Sequence, residues 1–167
     1  MIPRSGVSGY RRKDRPGGQS WRAVGSLVLA LTLAGCVQPN GNALAQRSAS
    51  RWIAALNSHR VKEISALLGA DGTYEDAITQ RPIAGLVLQA FWSNFWRLYP
   101  DLVFSATIAV AETDRVAIEY KSAGTHASGQ VITSAGVFVL DVRGDGISRV
   151  RAYYDLGVFL RVLSSTQ

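Results

Sequence analysis

Three short stretches hold the side chains best suited to chemistry. "TYEDAI" carries Asp76, "GTHASG" carries His126, and "SRVRAYYDLG" brings an aromatic run up to Asp155. Two carboxylates and an imidazole are the side-chain types of general acid–base work. An apolar pocket disfavours the charged form of a carboxylate and moves its proton affinity toward working pH. A neighbouring imidazole can donate or accept a proton in the same range. Each residue also has a plain structural role open to it. Asp76 can satisfy backbone N–H groups in the turn formed by "AITQRP". His126 lies between Gly124 and Gly129, where a loop histidine is the default. Alternation along the last strand puts Arg149, Arg151, Tyr153 and Asp155 on one face, and Val150, Ala152 and Tyr154 on the other. If that apolar trio faces the core, Asp155 points away, beside Arg151; a bulge near Tyr153 reverses this. Other chemistries lack their signatures. The two histidines are far apart and there is one cysteine, so no metal-ligand spacing exists. No Gly-rich phosphate loop, Ser–His–Asp order or nucleophilic cysteine is present, and neither a metal nor a cofactor is expected.

The elements that must position these residues follow from hydrophobic period. Trp52, Ile53 and Leu56, then Ile64, Leu67 and Leu68, recur at three- and four-residue spacing. "NSHR" interrupts them, so two helices are predicted, over about 47–58 and 61–69. "GADG" stops the second, "TYEDAI" reads as a short strand, and "TQRPIAG" as a loop around Pro82. A third helix, over about 86–98, carries Leu88, Phe91, Trp92, Phe95, Trp96 and Tyr99 and ends at Pro100. The period then changes to two. In "DLVFSATIAV" the residues Leu102, Phe104, Ala106, Ile108 and Val110 share a face. "DRVAIEYKSAG" alternates as well. "ITSAGVFVLDV" is apolar on both faces, as a central strand or one at a subunit interface would be. "RGDG" signals a hairpin turn before the last strand, and the apolar tail "LGVFLRVL" can pack on the sheet. Helix, helix, short strand, helix and four longer strands describe an α+β domain with helices on one face of a curved antiparallel meander. Its concave side would form a hollow lined by aromatics. The aromatic candidates for ligand contact are Trp52, Tyr74, Trp92, Trp96, Tyr120, Phe138 and Tyr153.

Four features of this pattern resemble the nuclear-transport-factor-2-like superfamily, the cone-shaped α+β fold of ketosteroid isomerases, SnoaL-like polyketide cyclases and limonene-epoxide hydrolases. "LGADGTYEDAITQRPIAG" is similar to the isomerase segment in which an Asp follows a short strand. "AGTHASG" is similar to the Gly-Thr-His-x-Gly stretch of SnoaL-like proteins. "GVFVLDVRGDGISRVRAYYDLG" resembles their last hairpin, which closes on aromatic-aromatic-Asp. The order of elements over residues 47–163 is the fourth. The resemblance implies a general base at Asp76, a pocket acid at Asp155 and the family histidine at His126. It also implies a mostly apolar pocket for a small hydrophobic molecule, and chemistry without a cofactor. Departures are visible too. The strand "IEYKSAG" lacks the Arg and Asp, two apart, of epoxide hydrolases. The isomerases' later acid donor has no match among Ser134, Gly136 and Phe138, and Trp52 or a neighbour replaces their helix tyrosine.

The remaining signals concern location. The chain has 167 residues and a formal net charge of +6. Residues 1–35 hold six of the 18 basic side chains and one of the 12 acids, so the remainder is nearly balanced. No basic run interleaved with aromatics survives beyond the leader, and nucleic acid is discounted. The apolar run "AVGSLVLALTLAG" is about a dozen residues, where a spanning helix needs about 20. It has the size of a signal-peptide core. It leads directly into the lone cysteine, Cys36, in "LTLAGC", which resembles a bacterial lipobox. The expected organisation is a lipoprotein signal over 1–35, a lipidated Cys36 with an unordered tether over 36–46, and a SnoaL-like domain over 47–167. The protein is thus expected in the cell envelope, held to a membrane through Cys36 and facing away from the cytoplasm. There it would act on a small hydrophobic ligand as an isomerase, cyclase or hydrolase with an Asp base. The alternative is a non-catalytic carrier or docking module, and in either case a homodimer through the outer sheet face is expected.

Overall fold

The computed structural model describes residues 41–164. The leader, Cys36 and the first part of the expected tether lie outside them. Four helices and five strands follow in the order α1 (Gly41–Asn57), α2 (Val61–Leu68), β1 (Thr73–Glu75), α3 (Gly85–Leu98), β2 (Val103–Glu112), β3 (Arg115–Thr125), β4 (Val131–Arg143), β5 (Gly146–Tyr154) and α4 (Leu156–Ser164). The second half of the expected tether is helical instead of unordered: α1 begins at Gly41, and Ala45 is fully buried. Small side chains at Ala45, Ala49 and Ala55 bring this helix close to the sheet, and Trp52 and Leu56 fill the space beside them.

The break between α1 and α2 falls in "NSHR", where His59 takes the left-handed region at φ 55°. Side-chain bonds compensate for that strained backbone. The Nε2–H of His59 donates to the Leu102 carbonyl at 2.8 Å, and the ring stacks on Trp96 with centroids 4.3 Å apart. The Asn57 amide spans both backbone groups of Phe104, at 2.8 Å each. These contacts tie the helical layer to the start of β2.

The sheet runs in the order β1-β5-β4-β3-β2. β2 to β5 form the expected antiparallel meander, and β4, apolar on both faces, is its central strand. β1 pairs parallel with β5, with Thr73 opposite Arg149 and Glu75 opposite Arg151, so the sheet is mixed. The long excursion through α3 and three strands between β1 and β5 makes a parallel return geometrically easy.

Two register shifts decide which side chains face inward. One lies between Ala106 and Ile108 on β2. It overturns the expected common face: Phe104 is buried, but beyond the shift Ala109 and Ala111 pack on the core while Ile108 and Val110 are exposed. The other lies between Asp141 and Val142 on β4, at the far end of β5 from Tyr153. From Val150 onward β5 therefore keeps the alternation read from its sequence, with Val150 and Ala152 buried. The apolar tail is α4, which packs against β4 and buries Phe159. No helix among the described residues is long and apolar enough to cross a membrane.

Candidate functional site

Asp76 stands one residue beyond β1 and is 7 % exposed. Its two carboxylate oxygens have separate work. Oδ1 accepts the backbone N–H of Ile78 at 2.9 Å and of Thr79 at 2.7 Å, while the Asp76 N–H donates to Thr79 Oγ1. That is the turn role open to Asp76 in the sequence. Oδ2 points to the interior and accepts the phenol O–H of Tyr74 and of Tyr154, each at 2.9 Å. The turn thus orients the carboxylate, and its second oxygen is presented to two phenols.

Those phenols come from neighbouring strands. Tyr74 is the centre of β1, and Tyr154 ends β5 on the same face as Val150 and Ala152. A third, Tyr120 on β3, stacks on Phe138 with centroids 4.4 Å apart. All three hydroxyls are held above the usual tyrosine range, first by burial and then by the negative charge of Asp76. They are neutral O–H donors at any ordinary pH. Gly136 makes this grouping sterically feasible. A Cβ there would lie 2.3 Å from the Tyr153 carbonyl oxygen and 2.8 Å from Tyr120 Oη, so only glycine lets Tyr120 lie over β4 beside Tyr154.

The other candidate residues separate into three places. Trp52, Tyr74, Trp92, Trp96, Tyr120 and Phe138 are buried in one ring network. Within it Trp52 meets Phe138 at 5.7 Å and Trp92 meets Trp96 at 5.5 Å. These rings fill the interior, and the indole N–H groups of Trp52, Trp92 and Trp96 have no partner there. His126 is also buried, at the far end of β3. Its Nδ1 accepts the Ser128 N–H at 3.1 Å, which needs a lone pair on that nitrogen and leaves the ring proton on Nε2. Nε2 has no partner. His126 does not touch Asp76; the link runs from Tyr99, 5.2 Å from its ring, through Phe159 to Tyr154. Asp155 and Tyr153 are on the outer face. Asp155 is exposed, and its Oδ1 accepts the Gly157 N–H at 2.8 Å at the start of α4. Arg151, its neighbour on that face, pairs with Asp141 at 3.0 Å instead. Tyr153 is 57 % exposed.

Two hollows lie near these residues. One of about 300 Å³ at the β1–β5 edge is lined by Asp76 and Tyr154 together with Glu75, Arg151 and Tyr153. Another of about 700 Å³ lies along Lys121, Ser122, Thr133 and Ser134 and takes in Asp155 and Val158. The structure therefore groups Asp76 with Tyr74 and Tyr120, brings His126 to the same interior from the other end, and leaves Asp155 in a different hollow. Tyr154, which completes the carboxylate's hydrogen bonds, was not among the candidates; the parity of Val150, Ala152 and Tyr154 was the signal for it. Among the described residues, no group of three or more His, Cys, Asp or Glu side chains gathers as a metal site.

Comparison with known proteins agrees with this architecture. A family model described as a SnoaL-like domain matches residues 49–150. No curated protein matches the chain in sequence. Among solved structures, the BvnE pinacolase from Penicillium brevicompactum superposes with a TM-score of 0.67 at 14 % identity, covering 75 % of this chain and 95 % of that one. A proposed polyketide cyclase from Xanthomonas campestris gives 0.65 at 22 % identity, with 72 % and 97 % covered. A protein with a ketosteroid isomerase-like fold from Catenulispora acidiphila, crystallised with trimethylamine, gives 0.62 at 22 %, with 68 % and 89 % covered.

Proposed function

This chain belongs to the SnoaL-like domain family, and on that premise we propose that it binds a small hydrophobic ketone or enol, with Asp76 as the base. The observation that supports this is a buried carboxylate whose inner oxygen, Oδ2, is shared by two phenols inside an aromatic interior. In the proposed step Oδ2 takes a proton from the carbon next to a carbonyl. The C–H electron pair becomes the new C=C bond, and the carbonyl π pair moves onto oxygen. One phenol turns from Oδ2 to donate to that oxyanion, as neutral donors with a raised proton affinity can. Return of the proton to another carbon gives isomerisation; attack of the enolate carbon on a second carbonyl gives cyclisation. No cofactor is needed, and His126 would donate from the far end of the interior.

The test is α-proton exchange. The full chain in D2O is given 2-tetralone, an apolar bicyclic ketone, and exchange is followed by proton NMR. Asp76→Asn should slow the catalysed exchange by about a hundredfold or more. Exchange at the wild-type rate in Asp76→Asn would sink the assignment of the base.

A second role, binding without turnover, draws on one specific observation: aromatic side chains fill the interior, and Asp76 already accepts four hydrogen bonds. Saturable binding of 2-tetralone with no exchange above the solvent rate would select it.

Two further parts of the proposal concern location and assembly. Cys36 in "LTLAGC" would carry the lipid that holds the domain to the envelope membrane. Labelled palmitate should enter the wild type and not Cys36→Ser. The outer sheet face exposes Val103, Ile108, Val110, Val131 and Tyr153, apolar surface suited to a second copy. Sedimentation of the chain in detergent reads the dimer directly, and Val110→Lys should shift it toward monomer.

A further inference from the structure

We infer that two copies of this chain join in one register: a two-fold axis lying along β4, on the outer sheet face, sets Lys121 of each copy against Asp155 of the other. This rests on the dimer proposed above and fixes how its two faces meet.

The strand registers lay out that face. Lys121 on β3 is opposite Ala135 on β4. Gly136 is opposite Tyr154, so Asp155, one residue further, comes level with Ala135 from the other side. All three are exposed, on the face that also carries Tyr153. Lys121 and Asp155 therefore flank β4, two strand spacings or about 10 Å apart. Between them Ala135 offers only a methyl group, and Ala123, opposite Thr133 in the next row, does the same. These small side chains line the hollow of about 700 Å³, which Val103 on β2 and Val158 on α4 border. Among the described residues Lys121 makes no ion pair. A cation without a partner on one flank and an exposed carboxylate on the other are complementary to the same surface turned over.

Symmetry then selects the axis. In a two-fold contact residue i meets residue j of the partner, and j meets i. Rotation about an axis parallel to β4 exchanges the β3 side with the β5 side. Ala135, Val137 and Val139 then lie on their own counterparts, and Lys121 meets the partner's Asp155 on both flanks. One step along, Glu119 and Tyr153 flank Val137, so each Glu119 carboxylate comes over a phenol hydroxyl. The row of Arg115, Asp141 and Arg149 is balanced within one copy, where Asp141 holds Arg115 and Glu75 holds Arg149. An axis across the strands at Ala135 would set Lys121 on Lys121 and Asp155 on Asp155, like charges that oppose association. Exposed ion pairs add little affinity; their part here is to choose the register.

The test is charge reversal, read by sedimentation of the full chain in detergent. Lys121→Glu brings a carboxylate to Asp155 on both flanks, and Asp155→Lys brings an ammonium to Lys121 on both. Each variant alone should raise the dimer dissociation constant about tenfold or more. Mixed in equal amounts, the two variants should form a dimer again, because the mixed pair has an anion opposite a cation on both flanks. That recovery also shows that each variant is folded. If either variant alone dimerises as the wild type does, or if the mixture is no more dimeric than its components, the register is overturned and the dimer stands. A monomeric wild type overturns the dimer and the register with it.

Discussion

Asp76 and Asp155 close neighbouring parallel strands with the same local device. Each carboxylate turns forward to the amide two residues on, Ile78 in one case and Gly157 in the other. Yet Asp76 is buried with two phenols on its second oxygen, and Asp155 is exposed at the start of a helix. The difference is register. β1 pairs Glu75 with Arg151, so Asp76 comes level with Ala152, on the core face. Asp155 is three residues further along the same frame and lands on the opposite face. Local motif supplies the turn in both places, and the parity of the partner strand decides which carboxylate meets the interior.

Four measurements would break or sharpen that contrast. The largest effect is expected in alkali. Tyr74, Tyr120 and Tyr154 keep their protons above the usual value of 10, through burial first and the charge of Asp76 second. Above pH 10 the unfolded chain has lost these protons and the folded one has not, so stability falls as pH rises; below pH 10 the contribution is fully present. Urea denaturation between pH 9 and 11 should show this loss, with the wild-type slope for Asp155→Asn, whose side chain is exposed and apart from the three phenols. Next comes Asp76→Ala, which strands two phenols and two amides and should cost about 3 kcal/mol at pH 7. A cost equal to that of Asp155→Ala would erase the distinction between the two carboxylates. Tyr154→Phe leaves Tyr74 on Oδ2 and should cost about 1 kcal/mol in the same denaturation series. Smallest is Asp155→Asn, which keeps an oxygen for Gly157; a change within about 0.5 kcal/mol and unaltered 2-tetralone binding are expected.

What could be read in advance was what depends on near neighbours. "NSHR" marked the break at His59, "RGDG" the turn after β4, and the aromatic spacing of α3 the helix that lines the core. The unseen features are relations between distant segments. Nothing in "DLVFSATIAV" announces the shift after Ala106 that turns Ile108 outward, because a bulge is set by the strand opposite. The parallel pairing of β1 with β5 is likewise invisible to periodicity, and with it the meeting of Tyr154 with Asp76. The residues before Arg47 read as a spacer because Pro39, Asn40, Gly41 and Asn42 favour an unordered chain; Ala45 is nonetheless fully buried on α1. Asp76 was legible both as a turn residue and as an interior acid, and its two oxygens carry both roles.

The bond between Tyr154 and Asp76 joins residues 78 apart in the chain. A chain that emerges from its N-terminus makes α1 to α3, β1 and β2 to β4 before β5 exists to meet β1. Loop closure over such a span comes late in folding, because its entropy must be spent before the contact returns anything. Until the last strand is made, Asp76 has its turn and Tyr74 but lacks the second phenol. A product cut short before Tyr154 would keep the β5 residues that pair with β1, Arg149 to Arg151, yet lack the second phenol. The carboxylate therefore becomes fully ligated only once synthesis has passed Tyr154.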